Sequence, residues 1–187
     1  MTLRTRILAV AVALSALLIS AQSLSVTVRA AGQHESHDTD LSSPFVQTVR
    51  QATDRFRDVG NTSGGGYGPA LGCVSGPEEG AMGLHYVNPG LLLDGALDAA
   101  HPEALIYEFT GRTARLVGVE FIVFADVWHQ THAANEPPIL EGQLLHFVDS
   151  PNRFGLPAHY ELHVWAWRDN PKGTFVDWNP LVSCEGA

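Results

Sequence analysis

Apolar residues recur at three- and four-residue spacing after Pro44: Phe45, Val46, Val49, Ala52 and Phe56 fall on one helical face, opposite Gln47, Arg50, Asp54 and Arg57. This period predicts an amphipathic helix. Ser43 is placed to cap it, Pro44 suits its first turn, and Gly60 marks its end. The next stretch, Asn61 to Gly72, is rich in glycine and lacks a period, which predicts a loop, and Gly76-Pro77-Glu78-Glu79-Gly80 predicts a turn. The period then shortens to two. Strands are expected over Met82–Val87, Ala104–Phe109, Arg115–Ala125, Gln143–Val148 and His159–Trp167, with a short one near Thr174–Trp178. They are separated by segments such as Asn88-Pro89-Gly90, Glu136-Pro137-Pro138 and Asp149-Ser150-Pro151-Asn152. Leu91 to Ala99 reads as a short helix. The predicted fold is α+β: an N-terminal helix packed on a curved antiparallel sheet of five to six strands, closing toward a barrel.

The first 43 residues follow other patterns. Arg4 and Arg6 precede the nearly unbroken apolar run Ile7–Ile19, and small residues follow. This is the make-up of a secretory signal peptide, and the run is shorter than the ~20 residues of a bilayer span. Val28 and Ala30 suit cleavage before Ala31, and Ala21 and Ser23 offer an earlier position. The expected organisation is a signal peptide over 1–30, a polar, flexible leader over 31–43 that includes His34 and His37, and a single α+β domain over 44–187. Location is expected to be secreted or periplasmic.

Charge narrows the partners. The chain carries 11 basic and 20 acidic residues, and removal of Arg4, Arg6 and Arg29 with the signal leaves a net charge of −12. No basic stripe is available for phosphates, so nucleic acid and anionic membranes are disfavoured. The chain has two cysteines, Cys73 and Cys184. In an oxidising compartment an isolated pair predicts a disulfide.

Candidate chemistry sits where polar residues interrupt apolar strand faces. In Arg115–Ala125 the alternation sets Val117, Val119, Phe121 and Val123 on one face and Leu116, Gly118, Glu120, Ile122 and Phe124 on the other. Both faces are apolar, which predicts a central strand on which Glu120 is a buried carboxylate needing a partner. In His159–Trp167 the residues His159, Glu161, His163, Trp165 and Trp167 share a face, and Glu161 and His163 project side by side. His85 and His146 interrupt two further strands. A cluster of His85, Glu120 and His163, extended by Glu161 and His146, has the donors of a Zn, Cu or Fe site, with Glu120 or Glu161 as a catalytic base. A metal-free alternative is an apolar small-molecule pocket lined by Tyr86, Tyr107, Phe124, Trp165 and Trp167. A third is an interaction surface on the tryptophan-rich C-terminal ribbon. Trp128-His129-Gln130-Thr131-His132 reads as a polar loop. Neither a nucleophile elbow nor a P-loop is found, so a serine hydrolase and a P-loop nucleotide site are not supported.

Two segments, Gly72–Asn88 and Tyr160–Pro180, resemble a group of small exported bacterial proteins. The resemblance implies export and carries no activity with it.

Overall fold

The computed structural model describes residues 43–76 and 78–187. The expected signal peptide and all of the leader but Ser43 lie outside the described residues. The helix forms as the period predicts. α1 spans Pro44–Thr53, and Ser43 Oγ accepts from Val46 N at 3.2 Å. A 3-10 turn, Asp54–Arg57, extends it and places Phe56 in the core.

Eight strands follow: β1 (Gly68–Gly76), β2 (Gly80–Val87), β3 (Ala104–Thr110), β4 (Thr113–Phe124), β5 (Ile139–Leu140), β6 (Gln143–Leu144), β7 (His146–Val148) and β8 (His159–Val164). Six of them make one antiparallel sheet in the order β1-β2-β3-β4-β8-β7, curled into a half-barrel. β5 and β6 form a separate hairpin. α2 (Pro89–Leu92) and α3 (Ala125–Trp128) are single turns.

Several elements depart from the expectation. β1 occupies a stretch read as loop and turn. Its glycines and Pro69 depress strand propensity, and register shifts at Ala70/Cys73 and Val74/Ser75 break its alternation. Gln143–Val148 divides into β6 and β7 around Leu145. Thr174–Trp178 is a loop, α3 replaces the start of the polar loop at Trp128, and the last strand stops at Val164.

The sheet has two occupied faces. On the α1 side Phe45, Val46, Val49 and Phe56 pack with Leu105, Tyr107, Leu116, Val119, Phe121, Leu162 and Val164. Full burial of each large apolar side chain contributes ~1.5–3 kcal/mol, so this face supplies most of the apolar stabilisation. The other face carries a smaller cluster of Ala81, Ile106, Val117, Trp165 and Val182. Val117 is a correction to simple alternation. A bulge between Ile106 and Tyr107 shifts the β3–β4 register and turns Leu116, not Val117, toward the helix.

The loop after β8 folds across this second face. Ala81 and Asn179 bond backbone to backbone in both directions at 3.1 Å. Gly80 permits the approach: its φ is +95°, and a Cβ there would collide with the Asn179 carbonyl. Buried Asn170 and Asn179 bond the loop to itself, through the Trp178 and Asp169 carbonyls. The Cys73–Cys184 disulfide, with Cα atoms 5.7 Å apart, ties the loop's far end to β1.

Candidate metal centre

Register brings the site together. Glu120 on β4 faces His163 on β8, and Ile122 faces Glu161. His85 on β2 lies one strand beyond β3, opposite Ile106. Even spacing along β8 puts His159, Glu161 and His163 on the same face. All five are buried, with 0% exposure at His163 and 5% at Glu120. His85 Nε2 is 3.3 Å from Glu120 Oε2, and His163 Nε2 is 3.9 Å from Glu120 Oε1. His159 Nε2 lies 3.2 Å from Glu161 Oε2, and its Nδ1 lies 2.8 Å from the Pro157 carbonyl.

One donor each from His85, Glu120 and His163 lies within 4.8 Å of the others. Donors ~2.0–2.1 Å from a zinc ion sit ~3.3 Å apart along a tetrahedral edge. The His85–Glu120 edge has that length, and the His163–Glu120 edge, at 3.9 Å, is longer. The hydrogen-bond inventory supports the fit. Neither ring nitrogen of His163 has a hydrogen-bond partner, and His85 Nδ1 has none. An unsatisfied buried polar atom costs ~1–3 kcal/mol; His163 Nδ1 has the Asp177 carboxylate 3.5 Å away to offset it by charge, whereas Nε2 faces Glu120 at 3.9 Å. A bound cation supplies a compensating interaction to any of these nitrogens that ligates it.

Electrostatics push the members apart. Burial pulls His85 down to about 3, and His163 beside it adds to the effect. Burial pushes the Glu120 carboxyl up to about 8; the His163 charge opposes this, and the adjacent, hydrogen-bonded Glu161 reinforces it. At His163 burial works against the charge, but the carboxylates of Glu120, Asp177 and Glu161 outweigh it and raise the imidazole to about 9. His159 is also raised: burial opposes its charge, and Glu161 and the Pro157 carbonyl favour it. Metal-free, the centre therefore holds a neutral His85 beside a Glu120–His163 pair that titrates as a unit and keeps its protons above the usual carboxylate and imidazole ranges.

Asp177 completes the surroundings; it falls within Thr174–Trp178, the stretch expected as a short strand, and was not singled out there. It sits in the loop after β8, with Oδ1 3.5 Å from His163 Nδ1 and 3.5 Å from His146 Nδ1. Burial alone would raise its carboxyl, but the two histidines hold it below the usual carboxylate range. His146, expected as a ligand beside His85, is instead at the solvent edge next to Asp177, with its side chain 53% exposed.

A small cavity of about 20 Å³ adjoins the centre, lined by His85, Glu120, His159 and Glu161 on the polar side and by apolar residues including Met82 and Phe154. That space admits one water molecule. Of the five aromatic residues expected to line a ligand cavity, Tyr86, Tyr107, Trp165 and Trp167 do not share a face. Tyr107 is in the helix-side core with Tyr86 packed against it, whereas Trp165 is buried on the opposite face and donates to the Val176 carbonyl. Trp167, past the end of β8, packs on the helix side and donates to Thr53 Oγ1 at 3.1 Å. The loop histidines are elsewhere: His129 contacts the Tyr160 hydroxyl, and His132 stacks on Trp128.

No protein-family model, curated protein or solved structure matches the chain.

Proposed function

We propose that this chain is an exported metal-binding domain, and that His85, Glu120 and His163 take one divalent transition metal. Zinc is the first choice, because the donor set is two imidazoles and a carboxylate and needs no redox partner; copper and iron accept the same donors. The observation that carries the reading is the pair of ring nitrogens on fully buried His163 that make no hydrogen bond, Nε2 facing Glu120 at 3.9 Å and Nδ1 facing Asp177 at 3.5 Å. A hydrogen-bond network built only for stability would leave fewer such atoms.

The adjoining cavity supports a metal ion with a bound water as its fourth ligand. Glu161 then stands as the carboxylate beside that water, and Glu120 is the anionic ligand. A cavity of this size fits water or a comparably small molecule and not a drug-sized ligand. The separation of Tyr86 and Tyr107 from Trp165 by the sheet likewise weighs against the apolar-pocket reading. The Cys73–Cys184 disulfide supports an oxidising compartment, and no helix among the described residues is long and apolar enough to cross a membrane.

Zinc titration of the disulfide-intact protein by competition with a chelating dye tests the assignment. Tight binding in the wild type, weakened at least 100-fold in both His85→Ala and Glu120→Gln, supports it. Equal affinity in all three proteins contradicts it. N-terminal sequencing of protein recovered from the periplasm or medium tests export; a start at Ala31 or at a nearby earlier residue is expected.

A further inference from the structure

The second ring nitrogen of His163 points away from Glu120, toward a different set of donors. Glu161, His163 and Asp177 each offer an atom within 4.8 Å of the others. His163 Nδ1 and Asp177 Oδ1 are both buried atoms without a hydrogen-bond partner, and they lie 3.5 Å apart. His146 Nδ1 approaches the same Asp177 oxygen at 3.5 Å from the solvent side. His146 also faces Glu161 directly in the β7–β8 register. These residues arrive from three places: β7, β8, and the loop that Asn170, Asn179 and the Ala81 bridge hold in position.

We propose that Glu161, Asp177, His146 and His163 form a second divalent-cation site, and that the His163 imidazole is shared by two metal ions, Nε2 toward the inner ion and Nδ1 toward the outer one. Two imidazoles and two carboxylates are a complete donor set for zinc or copper(II). A lone orienting hydrogen bond from His163 to Asp177, the usual partner of a metal-bound histidine, would explain one nitrogen. It does not explain why Asp177 Oδ1 stands equally far, at 3.5 Å, from two imidazoles, in ion-pair range of both and in close hydrogen-bond geometry with neither. Half-exposed His146 gives the outer ion a path from solvent, and the inner ion lies one imidazole deeper. The inference deepens the metal-binding reading and rests on it through His163; Glu161, placed beside the inner ion's water, here ligates the outer ion.

Equilibrium dialysis against zinc, with metal counted per disulfide-intact chain, separates the two claims. The wild type is expected to bind two ions. Asp177→Asn is expected to bind only the inner one, and His85→Ala only the outer one. Because Asp177 is partly buried, the exposed His146→Ala variant is the control for folding; it is expected to weaken the outer ion at least tenfold with an unchanged circular dichroism spectrum. His163→Gln is expected to lose both. One ion in the wild type, unaffected by Asp177→Asn and His146→Ala, overturns the second site and leaves the inner one standing. Two ions in the wild type with one retained at full affinity in His163→Gln overturns the shared imidazole. No ion in the wild type overturns the second site together with the metal-binding reading.

Discussion

Glu120 on β4 and His163 on β8 are direct cross-strand partners on a covered sheet face, and their side chains meet at 3.9 Å without a hydrogen bond. Opposed residues in an antiparallel pair have Cβ atoms ~4.5–5.5 Å apart, close enough for a direct bond. The 3.9 Å separation of the two heads, and the approach of His85 from β2 to the same carboxylate, fit an ion held between them.

Zinc binding is expected to release protons and to strengthen as pH rises from 6 to 8. Ligands bind as carboxylate and neutral imidazole, whereas metal-free Glu120 and His163 keep their protons up to about 8 and about 9. Each proton expelled contributes about tenfold in affinity per pH unit below the corresponding pKa. Proton release measured by calorimetry in buffers of different ionisation enthalpy checks this. Affinity that is flat over this range contradicts the protonation states described.

Glu103 gives a separate pH dependence outside the metal centre. Its side chain is buried ahead of β3, where Oε2 accepts from Ile122 N at 2.9 Å. Burial raises its carboxyl from 4.5 to about 8, against the pull of that hydrogen bond. A folded pKa above the unfolded one means the contribution is full below about pH 4.5, declines as pH rises, and is gone above about pH 8. The Glu103→Gln variant keeps an acceptor for Ile122 and cannot ionise. Urea melts from pH 5 to 8 are expected to show a shallower loss of stability in Glu103→Gln than in wild type, by at most about 1.4 kcal/mol per pH unit. Parallel slopes would show that Glu103 is ionised in the fold.

The disulfide closes a loop with a sequence separation of 111. In the chain-entropy account that is worth about 4–5 kcal/mol. A Cys73→Ser, Cys184→Ser double variant is expected to lose stability of that order in denaturant melts. It is also expected to bind metal more weakly, because Cys184 ends the loop that carries Asp177. A loss below about 1 kcal/mol would contradict the first expectation, and unchanged metal affinity the second.

Gly80→Ala is expected to cost more than an exposed substitution, about 1–3 kcal/mol, because the added Cβ runs into the Asn179 carbonyl at positive φ. The displaced loop should show as lost protection of the Ala81 and Asn179 amides in hydrogen exchange. Retained protection would mean that the loop docks independently of Gly80.

The strands around the site were legible wherever alternation was unbroken. Glu120 stood out because both faces of β4 are otherwise apolar, and spacing by two aligned His159, Glu161 and His163. Bulges were not legible: the register shift beside Ile106 exchanged Leu116 and Val117, and the breaks in β1 concealed a strand among glycines. Asp177 was missed because Thr174–Trp178, expected as a short strand, is a loop, so alternation there assigned no side chain to the site face. Trp167 was placed on the site face by carrying the alternation three residues past the end of β8.

Metal analysis of the disulfide-intact protein as purified, without added metal or chelator, beside a His163→Gln variant of unchanged fold, tests the central claim most directly. Stoichiometric zinc, copper or iron in the wild type and none in the variant is the predicted result. A wild type free of metal that also fails to take up zinc, copper(II) or iron(II) on titration would contradict the account and leave the buried His85, Glu120 and His163 as a polar network with no ion to hold.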